Sequence, residues 1–569
     1  MSETNIQHNR IRLLTIFIAI IGVVVVIRLF SLQVVNSEEY RARAERQYVT
    51  PSGSVFDRGN IYFTDKEGIS IAAATIENGF KVAINPVQIT DPDTAFTALS
   101  GVLTSLERDD FMEKAAKKTD PYEEIAERLD KETADAVNAL GIKGVTVYRQ
   151  KWRFYPGGSL AAQAIGFVSY KGDDLVGNYG LEEKYNDVLS RSGNNFYVNF
   201  FAEIFANVQS TVFKNTTATG DIVTSIEPTV QSQLETLITG IQTKWGSDTV
   251  GGVVMDPHNG EIIAIAAAPT FDLNEEKISG AVYTNPLAQG RYEMGSIVKP
   301  LVMAAAIDTG AVTASTSYYD GGSVVVQDKT INNFDKKGRG QVTMQDVLNQ
   351  SLNTGMVFAQ QKMGKEAFKS YMVDKYKLGE KTGVDLPGEI NGLMTGLKAS
   401  NDVNYANAAF GQGIATTPLN IVRGFAALAN GGKLVTPHIA TAINEQSGFT
   451  KKISYPVSET PVLKPETIAT ISTMLTQVVD DGYHRGLKHY SVAAKTGTAQ
   501  IAREGGQGYY TDRNLHSLIG YFPAQKPRYV LYLFNVYPKG AMYAIQTLGD
   551  PFFDMVQFLG NYYAISPDR

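Results

Sequence analysis

An apolar segment near the N-terminus limits what this chain can fold into more than any other feature. Residues 13–27 include no charged side chain, and beyond Arg28 the apolar character continues to Val35, which makes a segment of 23 residues. About 20 apolar residues in a helix cross roughly 30 Å of hydrocarbon, and an arginine near the end can extend its charge to the interface. The sequence therefore predicts a transmembrane anchor at residues 13–35.

The flanks of this segment indicate its orientation and its retention. A secretory signal peptide presents small residues soon after its apolar run, whereas the nearest Ala-x-Ala sequence here lies well downstream, at residues 42–44. Arg10 and Arg12 precede the segment and only Glu3 opposes them, which favours a cytoplasmic location for residues 1–12. We expect a single-pass protein of the cytoplasmic (inner) membrane whose main part lies on the extracytoplasmic side.

Composition limits the chemistry that the exported part can use. The 569 residues include no cysteine, which excludes disulfides, thiol catalysis, cysteine zinc sites and iron–sulfur clusters. A formal net charge of −6 without a concentrated basic region argues against nucleic acid as a partner. The six histidines are scattered, and His484 and His489 are not spaced like a helical zinc pair. We expect no metal and no other cofactor.

The exported part divides into two stretches of different character. Residues 36–225 mix short strand-like runs with charged helical ones, and the charged residues 107–132 are interpreted as a solvated helical face. Residues 226–569 indicate a larger α/β unit. Its strand-like runs are 251–255, 261–268, 491–501, 516–522 and 528–536, and its helical runs include 301–308, 347–363 and 419–429. Strands at both ends with helices between them predict a central antiparallel sheet flanked by helices.

The most informative motif lies in the segment Tyr292–Pro300. Ser296 and Lys299 are three residues apart at a predicted helix start, so their side chains share one face. A serine hydroxyl is a weak nucleophile until a neighbouring base takes its proton. Lysine is such a base only when neutral, which requires its pKa of about 10.4 to fall by about three units. Burial and a second cation both lower a lysine pKa, so the two residues are candidate nucleophile and base.

A second motif, Ser351-Leu-Asn353, lies inside the predicted helix 347–363. Taken alone, it also fits two polar residues on a helix surface. Its position 55 residues after Ser296, in the same predicted domain, is what makes it a candidate part of the same site.

A third motif, Lys495-Thr-Gly-Thr498, lies in a strand-like run. A strand beside a cleft allows the lysine and the threonine hydroxyls to hold a carboxylate, while the glycine permits close approach of the backbone. The same tripeptide occurs at Lys381-Thr-Gly383, among the turn-forming residues Gly379, Pro387 and Gly388. We therefore interpret the strand copy as functional and the loop copy as structural.

Ser-x-x-Lys, Ser-x-Asn and Lys-Thr-Gly in this order are the signature of the penicillin-binding protein and serine β-lactamase superfamily. More narrowly, the chain resembles a class B penicillin-binding protein, a monofunctional peptidoglycan D,D-transpeptidase. The motif Ser351-Leu-Asn353 resembles the division type, in which asparagine is usual at the third position, more than the elongation type, in which aspartate is common. Further segments that carry the resemblance are Arg28–Gln33, Tyr155–Gly158, Gly180–Tyr185, Ala409–Gly413 and Thr417–Pro418.

This resemblance implies both an architecture and partners. The expected regions are a cytoplasmic tail at 1–12, the anchor at 13–35, an elongated mixed pedestal (dimerisation) domain at 36–225 and a penicillin-binding transpeptidase domain at 226–569. The implied ligands are D-Ala-D-Ala stem peptides and β-lactams. A SEDS-type glycosyltransferase and other division proteins are the implied partners of the anchor and the pedestal.

The resemblance also implies roles for the motif residues. Ser296 attacks the carbonyl between the two terminal D-alanines, and Lys299 accepts its proton. The remaining roles are proton transfer to the leaving amine by Ser351, orientation of the lysine and the peptide by Asn353, and binding of the terminal carboxylate by Lys495, Thr496, Gly497 and Thr498. Backbone N–H groups of Ser296 and Thr498 hold the oxyanion.

Three other functions share part of this pattern. A β-lactamase must hydrolyse its acyl-enzyme, and residues 351–495 contain no Glu-x-x-x-Asn to supply the deacylating carboxylate. A D,D-carboxypeptidase differs only in using water in place of an amine, and a non-catalytic scaffold needs only the anchor and pedestal. The complete set of motifs favours a serine transpeptidase of septal wall synthesis, with the last two alternatives left open.

Overall fold

A computed structural model describes residues 57–171, 174–191, 219–275, 283–399, 401–483, 487–503 and 508–569. The predicted anchor at 13–35 and the tail before it lie outside these residues. No helix within the described ranges is long and apolar enough to span a membrane. The described chain forms two compact units, a smaller one at Asn78–Lys151 and a larger one that comprises Asp57–Glu77 and Trp152–Arg569.

The smaller unit has its own hydrophobic core, which includes Leu99, Phe111 and Ile125. Its helices are Pro92–Ser100, Arg108–Ala116 and Lys131–Ala139, and its strands are Glu123–Leu129, most of Val145–Phe154 and the second half of Ser70–Ile84. The interpretation of residues 107–132 as one helical face is wrong, because the strand Glu123–Leu129 lies within it. That strand pairs with Ser70–Ile84, and this long-range pairing overrides the local helical preference of its Glu, Ala and Leu residues.

A five-stranded antiparallel sheet lies at the centre of the larger unit. Its strands, in spatial order, are Ala493–Ala502, Tyr509–Phe522, Tyr529–Val536, Thr249–Met255 and Ile262–Ala268. Strands from both ends of the predicted domain therefore share one sheet, and the expected fold class is confirmed. We call Ala493–Ala502 the Lys-Thr-Gly strand; it is an edge strand, so one side of its backbone is free to meet other groups.

Helices pack on both faces of this sheet. Leu234 of the helix Pro228–Trp245 and Leu548 of Ala544–Tyr562 share a core with Leu518 of the sheet. On the opposite face, Leu301 and Phe425 share a core with Tyr532. The other helices of the larger unit are Ala162–Ile165, Gly180–Lys184, Asn186–Leu189, Pro286–Gln289, Lys299–Asp308, Met344–Asn349, Asn353–Met363, Lys365–Lys369, Asp402–Ala408, Pro418–Ala429 and Pro465–Gly482.

Shorter strands complete the larger unit. Those outside the central sheet are Ile61–Thr64, the start of Ser70–Ile84, Phe167–Lys171, Asp174–Asn178, Gly220–Thr224, Ala440–Glu445 and Thr450–Lys452. Two nested hairpins, Ser317–Asp320 with Gly340–Thr343 and Ser323–Val326 with Lys329–Asn332, follow the helix Lys299–Asp308. We call residues 317–343 the hairpin insert.

A buried ion cluster holds the segment Gly180–Tyr185. The Glu182 carboxylate accepts from Arg58 Nε at 2.5 Å and from Arg153 Nε at 2.6 Å. All three side chains are buried, so removing Glu182 would leave two arginine charges in the interior without their counter-charge. The cluster is a structural feature of the larger unit.

Candidate active site

A cavity of about 540 Å³ opens beside the Lys-Thr-Gly strand and brings the three sequence motifs together. The motif residues that line it are Ser296, Ser351, Asn353, Lys495, Thr496 and Thr498. Lys299 and Gly497 do not line the cavity: the Lys299 side chain is fully buried, and Gly497 packs against Ser517 and Met294. Residues far apart in the chain thus share one site.

Ser296 lies in a single 3₁₀ turn, Gly295–Val298, that leads directly into the helix Lys299–Asp308. The turn packs closely on the Lys-Thr-Gly strand, because a Cβ at Gly295 would lie only 2.9 Å from the Cβ of Ala499. Gly295 also has a φ of 59°, a conformation that costs glycine little. This glycine allows the serine to approach the strand.

The Lys299 side-chain nitrogen has three oxygen neighbours. This nitrogen, Nζ, donates to the Ser351 carbonyl oxygen at 2.6 Å and to Asn353 Oδ1 at 2.9 Å, and lies 3.2 Å from Ser351 Oγ. Burial, and then the charge of Lys495, hold the pKa of Lys299 well below its usual value. A neutral amine can donate to the two carbonyl-type oxygens and accept from the hydroxyl. The contacts therefore suit a lysine that works as a base.

The predicted helix 347–363 is wrong as a single element, because the chain turns between Met344–Asn349 and Asn353–Met363. Ser351 causes the break, since its φ of 53° is a left-handed conformation. The amides of Ser351 and Leu352 donate to carbonyls of the first helix, as in a Schellman helix end. Glycine usually occupies this position, because the left-handed conformation costs a residue with a Cβ, such as serine, about 1–2 kcal/mol.

This unusual helix end also sets the geometry around Lys299. It turns both the carbonyl oxygen and the hydroxyl of Ser351 towards Lys299. Asn353 then begins the next helix, and its Nδ2 donates to the Asn332 carbonyl at 2.9 Å. That bond fixes the orientation of the amide, so Oδ1 faces the lysine.

On the Lys-Thr-Gly strand, the Lys495 side chain is 2% exposed, and burial lowers its pKa to about 7. Its Nζ donates to the Thr496 carbonyl at 3.0 Å. The Thr496 N–H donates to the Tyr483 hydroxyl at 2.8 Å and so points away from the neighbouring strand. Because backbone direction repeats every two residues in a strand, the Thr498 N–H points to the same free edge.

Gly497 is required by packing. A Cβ there would lie 2.5 Å from Ser517 Oγ and 3.0 Å from the Met294 carbonyl oxygen. The strand therefore lies against the segment that carries Ser296, and any side chain at 497 would push the two apart.

Several cavity residues carry no motif that sequence reasoning could use. They are Phe334, Arg339, Gln350, Tyr483 and Tyr543. Phe410 and Gln412 also line the cavity, and they belong to the segment Ala409–Gly413 that carries part of the resemblance. Tyr483 follows a helix with no local sign of its role, and its hydroxyl also lies 3.2 Å from Thr496 Oγ1. These positions become visible only when distant segments meet.

Two further residues, Lys381 of the loop copy and His516, do not line the cavity. Lys381 is exposed in a loop, and His516 is buried with its Nδ1 3.0 Å from Thr547 Oγ1. Burial lowers the pKa of His516 to about 4. Among the residues that the structure describes, no group of three or more acidic or histidine side chains could hold a metal ion.

Comparison with known families places these observations in context. The penicillin-binding protein transpeptidase domain family matches residues 250–555, and the penicillin-binding protein dimerisation domain family matches residues 55–221. The chain therefore belongs to the penicillin-binding transpeptidases and, within them, to the class B proteins. The resemblance drawn from the sequence motifs is confirmed.

Individual relatives agree with this membership. The chain is 30% identical over 562 residues to stage V sporulation protein D of Bacillus subtilis, covering 96% of this chain and 85% of that protein. It is 25% identical to a peptidoglycan D,D-transpeptidase FtsI of Buchnera aphidicola, covering 99% and 96%. A crystal structure of penicillin-binding protein 3 of Mycobacterium tuberculosis with aztreonam is similar with a TM-score of 0.64 and 26% identity, covering 74% of this chain and 92% of that one.

Proposed function

We propose that this protein cross-links peptidoglycan as a D,D-transpeptidase, with Ser296 as the nucleophile. The observation that carries the residue assignment is Lys299, a buried lysine of lowered pKa that lies one helical turn after Ser296 and contacts Ser351 and Asn353. Family membership and the names of the relatives support the reaction class.

The proposed chemistry begins with proton transfer from the Ser296 hydroxyl to neutral Lys299. Oγ attacks the carbonyl carbon of the D-Ala-D-Ala peptide bond, and the backbone N–H groups of Ser296 and Thr498 stabilise the oxyanion. The C–N bond then breaks, Ser351 passes a proton to the departing D-alanine amine, and an acyl-enzyme remains. An amine from a second stem peptide attacks this ester, forms the new amide and returns the hydroxyl to Ser296.

Substrate binding uses the Lys-Thr-Gly strand. Lys495 is partly protonated near neutral pH and meets the terminal carboxylate of the donor peptide together with the hydroxyls of Thr496 and Thr498. The same contacts receive the carboxylate of a β-lactam, which acylates Ser296. A D,D-carboxypeptidase would use the same site with water as acceptor, so an assay of dimeric against hydrolysed products with an added amine acceptor separates the two reactions.

The direct test is labelling with a fluorescent penicillin. Purified Ser296→Ala is expected to form no covalent adduct, whereas Ser323→Ala, which changes an exposed serine of the hairpin insert, is expected to label at the wild-type rate. Matching thermal unfolding curves show that both variants are folded. Labelling of Ser296→Ala at the wild-type rate would contradict the assignment. Full rescue of wall synthesis in cells by Ser296→Ala would instead favour a scaffold.

The proposed setting is the cytoplasmic membrane at the division septum. Residues 13–35 form the anchor, 36–225 the pedestal and 226–569 the transpeptidase domain, and a SEDS-type glycosyltransferase is the proposed partner. The match of residues 55–221 to a dimerisation domain supports the pedestal assignment. Because the chain has no cysteine, single cysteines introduced at residues 5 and 447 can be tested with an impermeant maleimide in intact spheroplasts. Only the second is expected to react.

A further inference from the structure

The helix Asn353–Met363 has no capping side chain of its own. Its N-cap residue is Leu352, whose apolar side chain cannot accept from the free N–H groups of the first turn. One of these groups, the Thr354 N–H, instead donates to Asn333 Oδ1 of the hairpin insert at 3.2 Å. The cap of this helix is therefore supplied by a distant part of the chain.

The Asp320 carboxylate, which is 1% exposed, organises this external cap. Its oxygens accept from Asn333 Nδ2 at 3.0 Å and from the Thr354 hydroxyl at 2.8 Å. They also accept from the backbone N–H groups of Gly322 at 3.0 Å and Arg339 at 3.1 Å. These donors compensate a buried anion at a helix N-terminus, where the helix dipole favours negative charge.

The two residues that form the cap, Asn333 and Thr354, are each next in sequence to a residue that contacts the proposed catalytic groups. Asn332, next to Asn333, accepts from Asn353 Nδ2 at 2.9 Å, and Asn353, next to Thr354, accepts from Lys299 at 2.9 Å. A shift of the cap would thus move both the Asn332 carbonyl and the backbone of Asn353, and these two groups orient the Asn353 side-chain amide. Displacements of about 1 Å in a catalytic arrangement cost about 100-fold in rate.

We infer that Asp320 is a positioning residue, which acts through Asn333 and Thr354 to hold Asn353 against Lys299. The inference rests on the proposed role of Lys299 as the base. Asp320→Asn places an amide NH₂ among groups that all donate, so the cap must rearrange. We expect the rate constant of penicillin acylation to fall about 10- to 100-fold, with little change in the preceding non-covalent binding.

Asp308→Asn is the matched control. Asp308 is a second buried carboxylate, at the opposite end of the helix that begins with Lys299, and it accepts from the Lys464 N–H at 2.8 Å and the Thr467 hydroxyl at 2.7 Å. The same chemical change there lowers the unfolding temperature but leaves the acylation rate constant of the folded fraction within twofold. If both variants lose the same fraction of that rate constant, Asp320 has only a structural role and the inference is wrong.

A double-mutant cycle with Asn353→Ala gives the sharpest test. If Asp320 acts through Asn353, Asp320→Asn slows acylation much less in the Asn353→Ala background than in the wild type. Equal effects in both backgrounds would overturn the inference. Acylation of the wild type and its loss in Ser296→Ala, measured in the same assay, show that the nucleophile assignment stands whatever the cycle gives.

A second pair of variants covers the case in which Asp320→Asn does not fold. Thr354→Val removes the hydroxyl while keeping the shape of the side chain, and Thr354→Ser retains the hydroxyl. We expect slower acylation for the valine variant and near wild-type acylation for the serine variant. Equal rate constants in the two would contradict the inference.

Discussion

The tripeptide Lys-Thr-Gly occurs twice in the larger unit, and its two copies lie in different surroundings. At Lys381 the copy is in a loop with an exposed lysine, and the Thr382 hydroxyl and the Gly383 N–H both donate to the buried carboxylate of Glu389. At Lys495 the copy is in an edge strand with a buried lysine beside the cavity.

This difference supports the proposal that only the strand copy is functional. In the loop copy, the Thr382 hydroxyl and the Gly383 N–H already donate to a carboxylate of the protein, so they stabilise the loop and are not available to a ligand. The lysine and hydroxyl groups of the strand copy meet the cavity, where a ligand carboxylate can take the corresponding place. The same tripeptide thus lies in a structural turn at one position and beside the cavity at the other, where we propose that it binds substrate.

The largest expected effect concerns the two lysines. Lys495→Met removes the buried partner of the ligand carboxylate. Loss of such a charged contact costs about 3–4 kcal/mol, so the second-order rate constant for penicillin acylation should fall about 100- to 1,000-fold. Lys381→Met should leave it within twofold. Stopped-flow measurement with a fluorescent penicillin compares the two, and equal losses would remove the functional distinction between the copies.

The glycines give the next largest contrast. Gly497→Ala brings a Cβ to 2.5 Å from Ser517 Oγ and 3.0 Å from the Met294 carbonyl oxygen, so the strand must move and acylation should slow about 10- to 100-fold. Gly383→Ala meets no atom closer than 3.5 Å but has a φ of 85°. It should cost about 1–2 kcal/mol of unfolding free energy without slowing acylation. A normal acylation rate in Gly497→Ala would show that the strand tolerates displacement.

The pH dependence of the unfolding free energy gives a second comparison of Lys495 with Lys381. Burial lowers the pKa of Lys495 from 10.5 to about 7, so between these pH values the unfolded chain binds more protons than the folded one. The stability contribution of this group therefore rises with pH, by about 1.4 kcal/mol per pH unit, and is lost as pH falls towards 7.

Lys495→Met lacks this contribution and should have a flatter profile from pH 7 to pH 10 in urea unfolding experiments. Lys381→Met should follow the wild-type slope. A wild-type slope in both variants would mean that Lys495 keeps its proton in the folded protein.

The threonines should show the smallest effects on acylation. Thr496→Val removes a hydroxyl that meets the cavity and Tyr483, which should slow acylation about 3- to 10-fold. Thr382→Val removes a donor from Glu389 and should cost about 1–3 kcal/mol in unfolding free energy with unchanged acylation. Thermal unfolding and penicillin labelling of the same samples distinguish the two outcomes, and slowed acylation in Thr382→Val would contradict the assignment of this loop.

Much of the fold was predictable because its signals are local. The strands Thr249–Met255 and Tyr529–Val536 are largely apolar runs, and the helix Pro418–Ala429 begins with a threonine cap followed by proline. The strand Glu123–Leu129 was missed because its residues prefer helices and only pairing with a distant strand makes them extended.

The sequence alone determined the family and the order of the three motifs, and it predicted which Lys-Thr-Gly copy is functional, since residue type, spacing and neighbouring turn residues are local properties. Tertiary structure decided the rest of the site. It placed Ser351 in a left-handed helix end, brought Tyr483 to Thr496, and surrounded Lys299 and Lys495 with protein instead of water. Burial and contacts between residues far apart in the chain set the pKa of a lysine and the direction of a hydroxyl, and no short pattern encodes either.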